Sequence, residues 1–230
     1  ELMVKVFVTS DLPGDALTRL GAHCELDVWE QATPIPDTEL RQRLQGCDGL
    51  VCLLLNRIDE AVLASCPQLR FVSSMSVGVD HVDVAALTAR GIPLGNTPGV
   101  LVDTTADLSM ALMLAAARRI PEADQYVRNG QWSAQQPWHP LLFAGKDVSG
   151  ATLGIVGLGQ IGQAVARRAA GFGMRILGWT RSARIVAGVE TVSLDELLAQ
   201  ADFVSINVAL TDATRNLIDA AAIARMKPGA

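Results

Sequence analysis

The sequence predicts an α/β fold in which two parallel sheets carry helices on both faces. Short β-branched segments alternate with helical patterns along most of the 230 residues, which is typical of βαβ units. One segment, residues 49–54, is a continuous apolar run of the kind expected for a strand that is buried on both faces. A glycine-rich turn at residues 157–162 follows an apolar strand and opens a helix, which strengthens the α/β prediction.

The first half of the chain is predicted to form one domain, residues 1–98. Its predicted strands are residues 4–9, 25–29, 49–54, 70–74 and 92–94. A first helix is predicted to end at Leu20, and three more are predicted at residues 38–44, 60–65 and 84–90. Gly91 is expected to end the last of these helices, because glycine takes a left-handed backbone conformation without steric cost. The turn-rich segment of residues 95–99 marks the domain boundary.

The second half, residues 99–230, begins with helices and then returns to alternation. Asp103 or Thr104 is placed to cap a long helix over residues 105–119, and Pro121 starts a second helical stretch. This region, residues 103–129, is rich in small apolar residues and is predicted to lie in the core or at a subunit interface. Predicted strands follow at residues 152–156, 175–179 and 203–208, with helices at 161–171, 194–199 and 220–226.

Composition excludes several classes of protein. Half of the residues are apolar and 19% are charged, which excludes intrinsic disorder. The net charge of −5 and the lack of a basic run argue against nucleic acid as the partner. The longest apolar run, residues 110–117, is far shorter than the roughly 20 residues that a membrane span needs.

The cysteines predict a reducing compartment and no metal site. None of the four forms a CxxC pair or a ligand spacing with histidine, so we expect buried, reduced thiols in a cytoplasmic protein. These residues are Cys24, Cys47, Cys52 and Cys66.

The glycine-rich turn matches the G-x-G-x-x-G pattern that binds dinucleotide phosphates. Gly157 permits the tight turn, Gly159 lets the backbone approach a pyrophosphate, and Gly162 lets the helix pack closely on the strand. Gln160 and Ile161 lie between them, where the helix N-terminus offers free N–H groups to an anion. The alternative is an ordinary glycine-rich turn between a strand and a helix.

The residues after the next predicted strand favour NADP(H) over NAD(H), although NAD(H) stays possible. An NAD site usually has a carboxylate about 20 residues after the glycines, to bind the ribose 2′-hydroxyl. Residues 174–189 contain no acidic residue, and Arg181 and Ser182 follow the strand with Arg184 nearby. A guanidinium pairs with a 2′-phosphate that a carboxylate would repel. Alternatively, Arg181 is only a solvated surface charge.

Five segments carry a resemblance to a known family. They read MSVGVDHVD at residues 75–83, NTPGV at 96–100, TTAD at 104–107, TLGIVGLGQIG at 152–162 and LTDATRNLI at 210–218. In order and spacing the chain resembles the D-isomer-specific 2-hydroxyacid dehydrogenases over essentially its whole length. The resemblance is strongest to the glyoxylate/hydroxypyruvate reductase branch.

This resemblance implies two Rossmann-like, doubly wound domains with the second one incomplete in this chain. Residues 1–98 would be a flavodoxin-like substrate-binding domain, and residues 99–230 the first part of the dinucleotide-binding domain. The backbone amides of Val77 and Gly78 would hold the substrate carboxylate, where the alternative is a plain turn at the end of a strand. Leu54 and Leu55 are expected at the mouth of the substrate pocket.

The resemblance also assigns cofactor-binding residues. Thr105 would lie near the nicotinamide, Arg181 and Ser182 at the 2′-phosphate, and the segment after the last strand along the coenzyme. The full set is Thr105, Gly157, Gly159, Gln160, Ile161, Gly162, Arg181, Ser182, Ala209, Leu210 and Thr214. Two positions depart from the family pattern, because Gln135 stands where relatives often have Trp and Ala209 where they have Pro.

The implied activity is NADPH-preferring reduction of small 2-keto acids, such as glyoxylate and hydroxypyruvate, to D-2-hydroxy acids by a homodimer. The family's catalytic Arg, Glu and His are expected beyond Ala230, so no catalytic residue is assigned in this chain, and the 230 residues alone are not expected to catalyse. None of His23, His81 and His139 is expected to replace the proton donor. The alternatives are a dinucleotide-sensing, corepressor-like binding protein and a formate or phosphite dehydrogenase.

Overall fold

The computed structural model describes residues 3–135, 138–182 and 184–230. The chain divides into two compact units, Glu1–Gly99 and Val100–Ala230, which we call the N-terminal and the C-terminal unit. Each unit is built on a sheet whose strand pairs are all parallel. The α/β fold class with two parallel sheets is therefore confirmed.

The N-terminal unit has a five-stranded sheet in the order β2-β1-β3-β4-β5. Its elements are β1 (Lys5–Val8), α1 (Ala16–Gly21), β2 (Glu25–Val28), α2 (Asp37–Leu44), β3 (Gly49–Cys52), α3 (Glu60–Ala64), β4 (Phe71–Ser74), α4 (Val84–Ala89) and β5 (Leu94–Gly95). The central strands β1 and β3 supply the fully buried Phe7 and Leu50 to the main core of this unit.

Local signals in the sequence explain where several of these helices begin and end. Asp59 caps α3 by accepting hydrogen bonds from the N–H groups of Ala61 and Val62. Asp83 caps α4 in the same way through Ala86. Gly91 follows α4 with a φ of +67°, as predicted for a glycine that ends a helix.

The C-terminal unit has a four-stranded sheet in the order β8-β7-β6-β9. Its elements are α5 (Val102–Ala117), α6 (Ile120–Arg128), β6 (Thr152–Val156), α7 (Gln160–Ala170), β7 (Arg175–Trp179), β8 (Glu190–Thr191), α8 (Leu194–Gln200), β9 (Phe203–Ile206) and α9 (Ala220–Ala224). Strands β6 and β7 have the predicted bounds. Strand β8 is absent from the sequence prediction, because two residues paired only with β7 leave no periodicity in the sequence.

The prediction that Asp103 or Thr104 caps the long helix is wrong. Helix α5 already begins at Val102, its N-cap is Leu101, and no side chain caps it. Asp103 lies in the first turn, where its carboxylate pairs with Arg168 of α7 at 3.2 Å. The carboxylate of Asp103 therefore forms an ion pair between α5 and α7 instead of capping α5.

Helix α5 has one buried and one exposed face. Ala106 and Met110 belong to the same core cluster as the small residues Ala164 and Ala169 of α7, which lets the two helices pack closely. On the other face Leu112 is 62% exposed. No helix within the described ranges has the length and apolar character needed to cross a bilayer.

Candidate functional site

The glycine-rich turn between β6 and α7 requires glycine at two positions, one because of its backbone conformation and one because of close packing. Gly157 has a φ of +104°, and a Cβ there would lie 2.7 Å from the carbonyl oxygen of Asn207. A Cβ on Gly162 would lie 2.0 Å from the carbonyl oxygen of Gly157. A Cβ on Gly159, in contrast, would meet no atom within 4 Å, so this glycine faces open space. The turn thus has a packed side and an open side.

The open side of the turn is the N-terminus of α7. Gly159 is its N-cap, and the N–H groups of Gly159, Gln160 and Ile161 make no hydrogen bond within the described part of the chain. The first turn of α7 contains no acidic residue. Free N–H groups and the positive end of the helix dipole make this end of the sheet suited to binding an anion.

A cavity of about 450 Å³ lies at the carboxyl ends of β6, β7 and β9. This is the edge of a parallel sheet where α/β proteins bind their ligands. Its lining residues are Gly157, Leu158, Gly159, Trp179, Thr180, Arg181, Ser182, Asn207, Val208, Ala209 and Thr214. The structure thus brings six of the predicted cofactor residues together, whereas Thr105, Gln160, Ile161, Gly162 and Leu210 do not line the cavity.

The end of β7 presents positive charge without a neighbouring carboxylate in its own segment. Arg181 and Ser182 are exposed at the cavity. Within the described ranges the guanidinium of Arg181 forms no ion pair and no hydrogen bond. Arg184, in contrast, donates from Nη1 to the carbonyl oxygen of Leu158 at 3.1 Å. Arg184 is therefore held at the glycine-rich turn, whereas the guanidinium of Arg181 has no partner among the described residues.

The segment after β9 is held in shape by a buried threonine. Thr214 is 8% exposed, and its hydroxyl donates to the carbonyl oxygen of Ala209. The same hydroxyl oxygen accepts the N–H of Thr211 at 2.8 Å. Leu210 is half exposed beside it. Thr214 thus shapes this wall of the cavity through its contacts with the backbone.

In the N-terminal unit, two carbonyl groups of the loop after β4 accept hydrogen bonds from side chains. Ser76 Oγ donates to the carbonyl oxygen of Gly78 at 2.7 Å, and Asn96 Nδ2 donates to that of Val77 at 3.0 Å. The N–H groups of Val77, Gly78 and Val79 make no hydrogen bond to any described residue. Free backbone N–H groups in a loop that follows a parallel strand are suited to binding an anion.

A buried polar network supports this loop. His81 Nε2 lies 2.9 Å from the hydroxyl oxygen of Ser74, which lies 2.7 Å from that of Ser76. His81 Nδ1 is buried without a hydrogen-bond partner in the described structure. Burial lowers the pKa of His81, and the nearby carboxylate of Asp80 opposes this only in part. Burial therefore favours the neutral form of this imidazole, which contacts Ser74 at the base of the loop.

The remaining residues singled out in the sequence lie apart from these features. His23 and His139 are exposed, and Leu54 and Leu55 are 58% and 67% exposed after β3. All four cysteines are free and buried. No cluster of three or more histidine, cysteine or acidic side chains that could hold a metal ion occurs in the described ranges.

The contacts of three residues that support the cavity or the loop after β4 were not predicted from the sequence. Gln163 and Arg184 both contact the glycine-rich turn through Leu158, and Asn96 holds the loop after β4. Asn96 lies in a segment that carries the family resemblance, so a signal for it exists. No pattern in the sequence indicates where the side chains of Gln163 and Arg184 point.

Comparison with known proteins agrees with this geometry. Residues 110–230 match the family model described as D-isomer specific 2-hydroxyacid dehydrogenase, NAD binding domain. The chain is 48% identical over 227 residues to the glyoxylate reductase of Korarchaeum cryptofilum, covering 97% of this chain and 68% of that protein. It is 46% identical over 228 residues to the glyoxylate reductase of Thermococcus kodakarensis, covering 97% of this chain and 68% of that protein.

Solved structures show the same likeness. The TT0316 protein of Thermus thermophilus superimposes with a TM-score of 0.92 at 44% identity, over 99% of this chain and 72% of that one. An NADPH-dependent glyoxylate/hydroxypyruvate reductase of Sinorhizobium meliloti, solved with NADP and malonate, has a TM-score of 0.83 at 28% identity over 97% of this chain and 68% of that one. The chain therefore belongs to the D-isomer specific 2-hydroxyacid dehydrogenase family, whose members are oxidoreductases that use a nicotinamide dinucleotide.

Proposed function

We propose that the protein reduces small 2-keto acids, glyoxylate and hydroxypyruvate foremost, to D-2-hydroxy acids with NADPH as the preferred hydride donor. The observation that carries the cofactor part is the end of β7. There Arg181 and Ser182 line the cavity, and no carboxylate stands between residues 174 and 189. The names of the similar glyoxylate reductases support the substrate part.

The residues of the cavity fit a dinucleotide. Gly159 leaves open the space that a side chain would fill, and the free N–H groups of α7 begin beside it. In this proposal they hold the pyrophosphate, and Arg181 and Ser182 hold the 2′-phosphate. When bound, the cofactor supplies the hydride. A hydrogen bond to a charged group contributes about 1.5–3 kcal/mol, so the 2′-phosphate contact would be worth roughly ten- to a hundredfold in affinity.

The substrate carboxylate fits the loop after β4. In this proposal the N–H groups of Val77 and Gly78 bind it, and Ser76 and Asn96 keep the loop carbonyls turned away from its negative charge. Carbonyl reduction also needs a proton donor. We do not assign that role to His81, because burial lowers its pKa and its Nε2 faces Ser74.

The experiment for the cofactor measures binding of NADPH and NADH to the wild-type protein and to Arg181→Ala. Trp179 lines the cavity, so energy transfer from tryptophan to the reduced nicotinamide reports binding. We expect tighter binding of NADPH by the wild type, and a loss of about tenfold or more for NADPH alone in Arg181→Ala. Arg128→Ala is the matched control, because Arg128 is an exposed arginine of α6 paired with Asp124. Tighter NADH binding by the wild type would overturn the proposal for Arg181.

The experiment for the substrate is a steady-state assay of NADPH oxidation with glyoxylate and hydroxypyruvate, using the protein as its gene encodes it. Turnover with either 2-keto acid is the expected result, and chiral analysis of the product identifies the hydroxy acid. Absence of turnover with both acids and both cofactors contradicts the reductase. Oxidation of formate or phosphite with neither keto acid reduced would assign a different substrate class.

We further infer that the protein acts as a homodimer in the cytoplasm. Val100 and Leu101 before α5, and Leu108 and Leu112 on it, are 53–73% exposed, which is a larger apolar surface than single scattered residues explain. The free, buried cysteines fit a reducing compartment. Light scattering coupled to size exclusion tests the dimer, and a monomer at micromolar concentration would contradict it.

A further inference from the structure

The carbonyl group of Leu158, in the middle of the glycine-rich turn, accepts hydrogen bonds from two side chains. Gln163 Nε2 donates to it at 2.9 Å from α7, and Arg184 Nη1 donates at 3.1 Å from the connection that follows β7. The two donors come from different elements. The Leu158 carbonyl is therefore bonded both to α7 and to the connection that follows β7.

The Leu158 side chain anchors the same residue from a third direction. It is 1% exposed, and a Cβ added to Gly178 of β7 would lie 2.8 Å from Leu158 Cδ1. Leu158 is thus packed against β7 through its side chain and hydrogen-bonded through its carbonyl. Its neighbours Gly157 and Gly159 have no side chains and the greatest conformational freedom of all residues. Without these contacts, the peptide between Leu158 and Gly159 would be free to rotate.

The orientation of this peptide sets the direction of one N–H group. In a planar trans peptide the carbonyl of one residue and the N–H of the next point in opposite directions. Because Gln163 and Arg184 hold the carbonyl of Leu158, the N–H of Gly159 points away from both of them. Gly159 lines the cavity, and its N–H makes no hydrogen bond in the described part of the chain.

We propose that Gln163 and Arg184 are positioning residues, which hold the Leu158–Gly159 peptide so that the N–H of Gly159 faces the cofactor pyrophosphate. Arg184 in this role acts on the backbone of the turn and not on the 2′-phosphate. The proposal depends on dinucleotide binding in the cavity but not on a preference for NADPH. The pyrophosphate is common to both cofactors, so losing the two donors weakens NADPH and NADH binding alike.

Two donors on one acceptor predict a particular pattern among variants. Either donor alone keeps the carbonyl partly restrained, so Arg184→Ala and Gln163→Ala should each weaken both cofactors only about two- to threefold. The double variant frees the peptide, and its loss should exceed the product of the single losses, at about twentyfold or more. Residues that act independently would give the product alone.

The experiment measures dissociation constants for NADPH and NADH in these variants by energy transfer from tryptophan to the reduced nicotinamide, with Trp179 lining the cavity. Arg167→Ala is the matched control, because Arg167 is an exposed arginine of α7 with the same charge and no hydrogen bond to the turn. Arg184→Lys keeps a cationic N–H donor for the Leu158 carbonyl and should recover much of the loss. Gln163→Glu keeps the size of the side chain but places a carboxylate against the carbonyl, so it should bind both cofactors more weakly than Gln163→Ala.

A second measurement separates positioning from general stability. In protein labelled with ¹⁵N-glycine, the Gly159 amide proton should shift strongly downfield when NADH binds to the wild type, and much less in the double variant. The melting temperature should stay within about 2 °C of the wild type in the variants that keep side-chain volume.

Three results would overturn the proposal. A loss confined to NADPH in Arg184→Ala would make Arg184 a ligand of the 2′-phosphate. Wild-type binding by the double variant would remove any role for both residues, and binding losses that follow the melting temperature would indicate structural support alone. If the wild type binds neither cofactor, the dinucleotide site itself fails, which is a different outcome from any of these.

Discussion

The two units are built on the same plan. The strand order β2-β1-β3 in the N-terminal unit corresponds to β7-β6-β9 in the C-terminal unit, with all pairs parallel. Each unit also has an aspartate immediately before the third of these strands. Asp48 accepts the N–H of Lys5 at 3.0 Å, and Asp202 accepts that of Thr152 at 2.9 Å. The same side chain thus ties the first strand to the third at the same place.

The units differ in the connection that leaves the first strand. In the C-terminal unit it is the glycine-rich turn, with a long helix behind it and no acidic residue in the first turn of α7. In the N-terminal unit the corresponding connection contains Asp11 and Asp15, and the helix α1 has only six residues. Carboxylates at a helix N-terminus occupy the position that an anionic ligand would need. The free N–H groups of the N-terminal unit lie instead after β4.

The two units thus share a strand order but differ in the connection after the first strand. We infer that the parallel sheet determines the position of a ligand site and that this connection determines whether the site accepts an anion. The largest expected effect in the chain therefore concerns Gly162, one of the two tightly packed glycines of the turn. Gly162→Ala places a methyl group 2.0 Å from the Gly157 carbonyl oxygen, so α7 must move. We expect a cost of about 1–3 kcal/mol in the free energy of unfolding of the C-terminal unit and loss of NADH binding. Thermal unfolding and NADH titration measure both.

Gly159→Ala should separate binding from stability. The φ of Gly159 is −70°, which suits any residue, and the new methyl group would enter open space. We expect an unchanged melting temperature but at least about tenfold weaker NADH binding, because the methyl group occupies the approach to the pyrophosphate. NADH affinity equal to that of the wild type would show that the open side of the turn is not the cofactor side.

Gly49→Ala is the matched substitution in the other unit. Its methyl group would lie 2.1 Å from the ring of Phe71, so it disturbs the packing of β3 against β4. We expect a lower stability of the N-terminal unit and unchanged NADH affinity. All four cysteines lie in this unit, so thiol labelling in urea reports its unfolding separately.

The paired aspartates give the next largest effect. Asp202 also lies 3.1 Å from Lys227 Nζ and 3.5 Å from Lys146 Nζ, whereas Asp48 forms no ion pair with any described residue. Asp202→Ala should therefore cost about 1–3 kcal/mol in the free energy of unfolding of its unit, and Asp48→Ala about 1 kcal/mol. Hydrogen exchange of β6 and β1 peptides measures the two costs. Equal costs would contradict the assigned role of the lysines.

The same carboxylate gives the C-terminal unit an acid dependence. The N–H of Thr152 is the main cause that lowers the pKa of Asp202, with Lys227 and Lys146 adding to it. A carboxylate with a lowered pKa stabilises the folded state above its ordinary pKa of about 3.9, and this stability is lost as the pH falls through its folded value. Asp202→Asn should flatten the acid limb of unfolding for this unit alone.

The parts of the fold that the sequence predicted well are those that local pattern controls. Strands β6 and β7 are apolar runs bounded by turn residues, and both have the predicted bounds. The predicted start of α5 is wrong because Asp103 is a good capping residue by type, but the chain is already helical at Val102. Strand β8 exists only through its pairing with β7, which no local pattern encodes.

The site divides in the same way. The glycines were predictable because their spacing reflects backbone geometry within one turn. The contact of Arg184 with Leu158 was not, because it joins residues 26 apart in sequence through the path of an intervening strand. The contact of His81 with Ser74 likewise depends on how the loop after β4 folds back under itself.

The smallest expected effect is the pH dependence that His81 gives to the stability of the N-terminal unit. Burial lowers the pKa of its imidazole from the ordinary 6.5, with Asp80 opposing in part, so the folded state prefers the neutral form. The unfolded chain then binds more protons at mildly acidic pH. The stability that this unit gains from neutral His81 is complete above about pH 6.5 and falls as the pH is lowered. Asp202 acts in the other unit and at lower pH.

His81→Asn should therefore reduce the pH dependence of the N-terminal unit between about pH 7 and 5.5, because asparagine still offers a partner to Ser74 but does not titrate in this range. Samples heated at each pH receive a short maleimide pulse at about pH 7, and mass spectrometry reads labelling at Cys52, whose sulfur lies 4.0 Å from His81 Nε2. Burial raises the pKa of this thiol to about 11, so labelling requires opening of the unit. His139→Asn, at an exposed histidine of the C-terminal unit, should leave the profile unchanged. The contrary result is a wild-type unfolding midpoint that is the same at about pH 7 and pH 5.5. The folded unit would then tolerate protonated His81, and the network from His81 through Ser74 to Ser76 would not depend on a neutral imidazole.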